Sequence, residues 1–473
     1  MEEDAGPSTP HHCGGLVSPS GTTEGETMGQ RTRILTDILG VRGWKIVEAF
    51  FETPAGERVE HLADLALLSN VALVLRLERR WAPRCSTCGA ICRGGAHEHL
   101  EVRRWKDLPW GERSVWIEAA PIRVKCKCCG RHAVERLAWA DPYQRETVRL
   151  QQMMTFQAAS MSAGHVAVVH GVDWATVRRA ETAGLKRWDA TREAVLLRRV
   201  GVDEKWLGRR HKLDHHFVTI VSNLETGEPV WMGPGRGQET LASWIATLSP
   251  EEKERIELFA MDMHAPYAAA VRADEVLKDK PIVHDPFHVT KRVNAALDEI
   301  RREVFFRAGP EMRGIGRGTR WLVLRAWERC TPEQQAKVTE LMRCNPLFAR
   351  AYQIKEELRA VLHAPDRAAM EIGLARILRR TQARRHVELR KLHDSLRAHR
   401  DALLALAEHR PPTGRIEALN NNWETLVRRA RGYRNYQYLL LKLRFMTANP
   451  IADDHGARRF LALGLQPPSR RAA

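Results

Sequence analysis

The chain has 473 residues, a net charge of +17 and a pI near 9.8. That length calls for about three domains, and the charge calls for a polyanionic partner. Secretion and membrane spanning are excluded as expectations: the start lacks an apolar signal core, and the longest apolar region, 62–77, is broken by Asp64, Ser69, Asn70 and Arg76, short of the ~18 uninterrupted residues a membrane helix needs.

Residues 1–30 are rich in Gly, Ser, Thr, Pro and Glu without apolar periodicity and read as a disordered tail. A first domain is expected over 31–140. Its segment VALVLRLERRW (71–81) alternates between apolar and charged residues near its end, as a half-buried strand does. Six of the nine cysteines fall between 85 and 129, a clustering that suits metal better than disulfides and a reducing cytoplasm better than an oxidising compartment. Cys85-Ser-Thr-Cys88-Gly and Cys126-Lys-Cys128-Cys129-Gly form two CxxC knuckles, the pattern of a structural Zn²⁺ site. The favoured ligands are Cys85, Cys88, Cys126 and Cys129. Cys92 and Cys128 compete with them, and His97, His99 or His132 could replace one thiolate. The segments VRRWKDL and SVWIEAAPIRVK between the knuckles are expected to return the chain to the ion as strands.

A DNA-binding domain is expected over 141–195, in which residues 145–190 read as helical with a break at Gly171. Val166, Ala167 and Val169 precede the glycine, and Asp173 stands where it would cap a second helix. Helix, Gly-containing turn and helix with a TVRR segment form the pattern of a helix-turn-helix, with Thr176, Arg178 and Arg179 as the expected DNA-facing residues.

From 196 to 291 the pattern changes to short apolar runs. FVTIVSN and PVWMG flank the turn ETGEP, and IELFAMD and PIVHD alternate with helical segments, which reads as a sheet of an α/β or α+β domain. Asp203 ends one apolar approach, VLLRRVGVDEKW, and Asp262 ends another, IELFAMDMHAPY. A carboxylate at the end of such a strand is held rigidly while still reaching solvent and a cation. Asp285 and His288, in VHDPFHV, can share a helix face and bind a phosphate or a metal, or simply contact each other.

Residues 292–413 carry no convincing strand and read as an all-α segment. Within it, 376–400 holds nine Arg/Lys against Glu388 and Asp394. Arg376, Arg380, Arg384 and Lys391 are spaced as one stripe on a helix, a candidate phosphate track. In the segment 414–446, Glu417 opens a helix in GRIEALNNNWETLVRRARGYRN, beside Asn420, Asn421 and Asn422, and Arg428 and Arg429 follow. Glu424 lies on nearly the same face as Glu417, so geometry does not choose between them. A Pro-rich basic tail, 447–473, closes the chain.

In order, the double CxxC, the helix-turn-helix, GVDE, Gly235-Arg236, Asp262-Met263, Asp285 to His288 and E-A-x-N-N with R-GYRN closely resemble the ISL-three family of bacterial insertion-sequence transposases, from about 70 to 446. The resemblance implies an RNase H-like catalytic core, 196–291 with 414–446, interrupted by the helical insertion 292–413. It implies a catalytic triad of Asp203, Asp262 and Glu417 binding Mg²⁺ or Mn²⁺, with Asp285, His288 and Arg236 in support. The implied activity is metal-dependent cleavage and strand transfer on double-stranded DNA, in the bacterial cytoplasm at the nucleoid. Pairing two transposon ends would require a dimer or larger assembly. Ala418 where Gly is common, and Trp423-Glu424 in place of a more basic stretch, are departures from the family pattern. A non-catalytic DNA-binding repressor descended from a transposase is the rival expectation.

Overall fold

The computed structural model describes residues 36–61, 70–94, 97–193, 196–207, 216–382, 386–430, 433 and 435–465. The chain is a mixed α+β protein in two compact units, one of residues up to Gly184 with Arg458 onward, the other Leu185–Ala457.

The first unit opens with β1 (Trp44–Glu52), β2 (Arg58–Val59) and β3 (Ala72–Arg79), then β4 (His97–His99), β5 (Arg103–Trp110), β6 (Arg113–Ala119), β7 (Ile122–Lys125) and β8 (His132–Val134). Five of these make a sheet ordered β2-β1-β3-β6-β5, and three make a smaller sheet ordered β4-β7-β8. The pleat of β3 buries Leu73, Leu75 and Leu77 on one face, but Val74 is also buried on the other, so the strand is half-exposed only toward its charged end. Trp44, Trp105 and Trp139 meet edge to face under this sheet. VRRWKDL and SVWIEAA therefore belong to the larger sheet, and only β7 runs directly into the second knuckle.

Three helices follow: α1 (Val148–Ala158), α2 (Ala163–His170) and α3 (Trp174–Asp189). The helical stretch thus breaks twice, at 159–162 as well as at Gly171. Ser162 caps α2 by accepting from His165 N. Gly171 ends it at φ +56°, the left-handed conformation that glycine adopts without strain. Asp173 then accepts a hydrogen bond from Thr176 N at 2.8 Å, starting α3 as a cap does. Leu150, Met154, Val166 and Val177 form the shared core of the three helices.

The second unit contains β9 (Arg199–Trp206), β10 (Phe217–Asn223) and β11 (Pro229–Pro234), then α4 (Gln238–Ile245), α5 (Pro250–Arg255), β12 (Leu258–Met261), α6 (Ala265–Arg272) and β13 (Ile282–His284). Their sheet is ordered β11-β10-β9-β12-β13; the first three strands run antiparallel, while β9, β12 and β13 are parallel. Alternation along β9 and β12 sends Val200, Val202, Phe259 and Met261 to the face covered by α4 and α6.

After β13 come α7 (Pro286–Arg301), a π-helical turn at Arg302–Phe306, α8 (Pro310–Gly316), α9 (Arg320–Leu324), α10 (Pro332–Cys344), α11 (Pro346–Leu362), α12 (Arg367–Thr381), α13 (Val387–Ala398) and α14 (Arg400–His409). They share one core around Phe305, Phe348, Leu358 and Leu403. Last are α15 (Gly414–Arg429), α16 (Tyr436–Ala448) and α17 (Asp454–Ala462). The segment read as a basic tail thus includes a helix, anchored by Phe460, whose carbonyl accepts from Gln152 Nε2. Amphipathic spacing over so short a stretch was hidden among its charges.

Among the described residues, three of the later helices meet the sheet: α14 lies against β13, α16 reaches β11, where its Arg444 bonds Pro229 O and Val230 O, and α15 covers the second face. Its Ile416 packs with Leu224, Leu258 and Ala260 on the face opposite α4 and α6. Gly201 permits the approach: a Cβ there would lie 3.3 Å from Ile416 and 2.5 Å from Ser222 Oγ.

Candidate active site and metal centre

Met261 pairs with Val202 on one side and His284 on the other. The next residue of each strand is acidic, so Asp203, Asp262 and Asp285 stand in one row across β9, β12 and the end of β13. Neighbouring strands are ~4.8 Å apart. Asp203 shares its face with Gly201, and Asp262 continues the face of Leu258 and Ala260; this is the face on which Ile416 of α15 packs. Asp203 is not at a strand end, as the sequence led us to expect. Strand β9 continues to Trp206 because it remains paired with β10, whereas β12 stops at Met261.

The Asp203 side chain is 10% exposed, and its Oδ2 is buried without a hydrogen bond, 3.2 Å from Lys205 Nζ. Its Oδ1 accepts from the backbone N of Glu204 at 2.8 Å. Asp262 Oδ1 accepts from Met263 N at 2.6 Å, and its Oδ2 lies 3.2 Å from His288 Nδ1. Burial pushes the Asp262 carboxyl up, but His288, the Met263 amide and the Arg292 charge together hold the group below its ordinary value. Burial likewise opposes charge on His288, yet Asp262, Asp203 and Asp285 raise its pKa. A buried carboxylate oxygen that makes no hydrogen bond and meets only the Lys205 ammonium, beside a second carboxylate, could hold a hard divalent cation.

Asp285 has another task besides its place in the row. It caps α7, accepting from Phe287 N at 3.0 Å. Burial raises its pKa. Asp285 and His288 therefore do not act as a pair on one helix face: one caps the helix and the other reaches Asp262. Arg236 stacks its guanidinium 4.1 Å from the Phe217 ring and presents its carbonyl 2.8 Å from His264 Nε2.

Two groups escaped the sequence reading. Glu204 has a buried, unpartnered Oε2, and its pKa is raised by burial and by the charges of Asp203 and Asp262. The adjacency was visible in GVDE, but the burial was not. His284 and His399 meet at 2.9 Å between Nε2 and Nδ1, joining the end of β13 to the α13–α14 junction across 115 positions. No local pattern connects them.

Glu417 sits in the first turn of α15 and is exposed. Ile416 brings its helix to the sheet face that carries the aspartates. Glu424, one face-repeat further on, is engaged by Arg428 at 2.8 Å. Asn421 is exposed and Asn420 half-buried, while Asn422 bonds Thr447 on α16.

The four knuckle cysteines come together, with their sulfurs all within 4.8 Å of one another. Cys85 and Cys129 approach to 3.7 Å, Cys88 and Cys126 to 3.5 Å. The two knuckles have the same local fold: Gly89 N bonds Cys85 O at 3.0 Å, and Gly130 N bonds Cys126 O at 2.9 Å. Backbone amides aimed at the sulfurs stabilise thiolates; those of Cys129 and Cys128 help hold Cys126 down to about 6. The set could hold a tetrahedral ion. Cys128 is exposed and stands outside this group, as does Cys92, whose Sγ points to Ala90 O at 3.7 Å. His99 and His132 are strand residues of the small sheet and are also outside it. The His97 side chain lies outside the described residues.

The basic candidates divide. Arg179 is exposed and Arg178 half-buried, but Thr176 is 4% exposed. Its hydroxyl donates to Asp173 and receives Arg179 at 2.7 Å, so Thr176 faces inward and positions its neighbours. The stripe expected over 376–400 is not one helix, because α12 ends at Thr381 and α13 starts at Val387. Arg380 is committed to Glu357 and Gln353 of α11, and Lys391 to Glu388. Arg376 is exposed; Arg384 lies outside the described residues. No described helix is long and apolar enough to cross a membrane.

Comparison with known proteins agrees with this layout. A family model described as "Transposase", of the DDE ISL-three type, matches residues 200–443, from β9 into α16. The transposase for insertion sequence element IS1001 of Bordetella parapertussis is 30% identical over 363 residues, covering 76% of this chain and 87% of its own. The transposase for insertion sequence element IS1557 of Mycobacterium tuberculosis is 27% identical over 447 residues, covering 87% of this chain and 94% of its own. The family match takes in the whole acidic row and α15, and the relatives extend it across most of the remainder. The chain belongs to the ISL-three family of insertion-sequence transposases, a family of DNA-processing enzymes.

Proposed function

We propose that the protein binds the terminal inverted repeats of its insertion sequence and catalyses DNA cleavage and strand transfer through Asp203, Asp262 and Glu417. The observation that carries this reading is the placement of Asp203 and Asp262 at one level of adjacent parallel strands, facing the side where Ile416 docks the helix of Glu417. In this reading the sheet with α15 is an RNase H-like core (196–291 with 414–446), interrupted by the helical insertion 292–413. The domain 31–140 is the zinc-binding module. The helices of 141–195 form a helix-turn-helix that presents Arg178 and Arg179 to DNA.

The Asp203 oxygen left without a hydrogen bond is the best place for the catalytic cation, with Asp262 and Glu417 completing its carboxylate set. Magnesium or manganese there supplies Lewis-acid activation of the attacking oxygen and charge neutralisation at the leaving oxygen. His288 holds the Asp262 carboxylate in orientation, and Asp285 fixes the start of α7. The thiolate set of Cys85, Cys88, Cys126 and Cys129 takes structural zinc and stays apart from the chemistry. Arg376, Asn420, Asn421, Arg428 and Arg429 remain the basic and amide contacts proposed for DNA. Two ends are joined by at least two protomers acting together.

The test is a cleavage and strand-transfer assay on DNA carrying the element's ends. Asp203→Asn, Asp262→Asn and Glu417→Gln are expected to lower both steps by roughly three orders of magnitude or more while end binding persists. Cleavage intact in any of the three, with binding unchanged, removes that residue from the triad.

A further inference from the structure

Next to the acidic row, one apolar ring is held rigidly in solvent. Phe287 is 53% exposed. Exposed apolar side chains are common on any surface, so exposure alone means little. What distinguishes Phe287 is how firmly it is held and what it touches. Pro286 before it fixes the first helical φ of α7, and the Phe287 N–H is bonded to Asp285 Oδ1 at 3.0 Å. Its ring meets His288 edge to face, with centroids 5.6 Å apart and planes at 89°. His288 is the residue whose Nδ1 lies 3.2 Å from Asp262 Oδ2. The ring is therefore one contact away from a carboxylate of the proposed catalytic set, and its backbone is tied to the third acid of the row.

We propose that Phe287 is a stacking platform for an unpaired base of the DNA end, next to the phosphate that reacts. The inference rests on the function proposed above and adds to it a contact to the nucleobase. Every base offers a π-face to an aromatic ring, and such stacking is largely tolerant of sequence. In paired duplex the bases are already stacked on each other, so this ring selects nucleotides that have left the helix. Because the Phe287 backbone is tied to Asp285 and its ring leans on His288, less ordering entropy opposes the contact than for a ring on a free loop. The edge contact with His288 lets a base on the ring stabilise the orientation of His288, and through it that of Asp262.

The experiment uses the full-length protein with calcium, which supports binding without turnover. Two probes are compared: a blunt duplex, and the same duplex carrying a short unpaired overhang with 2-aminopurine in it. The wild type is expected to bind the overhang probe more tightly and to quench its fluorescence. Phe287→Ala is expected to weaken overhang binding on the order of 10- to 100-fold, abolish the quenching, and leave blunt-duplex affinity unchanged. Phe287→Trp is expected to restore both signals, and its melting temperature shows whether the α7 start is intact. The proposal is overturned if Phe287→Ala leaves overhang binding and quenching as they were, or if both probes weaken equally. If the wild type cleaves end DNA and Phe287→Ala behaves identically, only the stacking role fails. If the wild type binds neither probe, the functional reading fails with it.

Discussion

Asp203 owes its character to its surroundings more than to its sequence. Gly201 two residues earlier removes the side chain that would hold α15 away, and the β9–β12 register sets Asp262 beside Asp203. At the same scale, His284 and His399 supply a pH-dependent stability. Burial first, and then the neighbouring ring, lower the His284 pKa to about 4 from an ordinary 6.5; burial also lowers His399. The unfolded chain therefore binds protons that the folded pair refuses, so stability is full above pH 6.5 and declines as pH falls toward 4. The loss between pH 7 and 5 is expected to be about 2 kcal/mol. Thermal melting of the wild type and of His284→Asn at the two pH values measures it. A wild type whose melting shift is no larger than the variant's would exclude the pair as the cause.

Among the elements, the α2–turn–α3 segment shows local signals that agree with one another. Gly171 supplies the left-handed residue, Asp173 caps α3, and Thr176 and Arg179 extend the cap into a short hydrogen-bonded chain. Gly171→Val should cost about 1–2 kcal/mol, because a branched residue is strained at that φ. Asp173→Ala should cost about 1 kcal/mol. Calorimetry should register both as lowered melting of the unit up to Gly184. If the function proposed here is right, both should also weaken DNA binding. The basic run 376–400 shows the opposite case. Helical period and charge pointed to one continuous stripe, yet the chain turns between α12 and α13, and Arg380 bridges sideways to Glu357 and Gln353. A neighbouring helix that offers partners decides which arginines remain available to phosphate.

For the molecule as a whole, the knuckle cysteines join two loops that lie 38 positions apart. Four thiolates converging without a cation would repel one another, so metal loading and the stability of this region should be linked. Cys85→Ser is expected to reduce bound zinc by about one ion per chain and to lower the melting temperature of the first unit. Cys128→Ser should leave the zinc content unchanged, since Cys128 stands outside the cluster. Elemental analysis of the purified variants checks both. Equal losses in the two would mean that Cys128 is a ligand after all.

Much of this protein was legible in its sequence because the signals were short-range. The CxxC-Gly knuckles, the Gly171 turn with its Asp173 cap, and the strand runs before Asp203 and Asp262 each need only a few neighbouring residues to declare themselves. The family likeness rested on the order of those same motifs, which survives however the chain is folded. Tertiary structure decided what depends on residues far apart. It set the acids at one level, because register is fixed by pairing between strands. It turned Thr176 inward and gave Arg380 to Glu357, because burial and partners are properties of neighbours in space. It buried Glu204 beside Asp203 and joined His284 to His399, contacts that no spacing along the chain encodes.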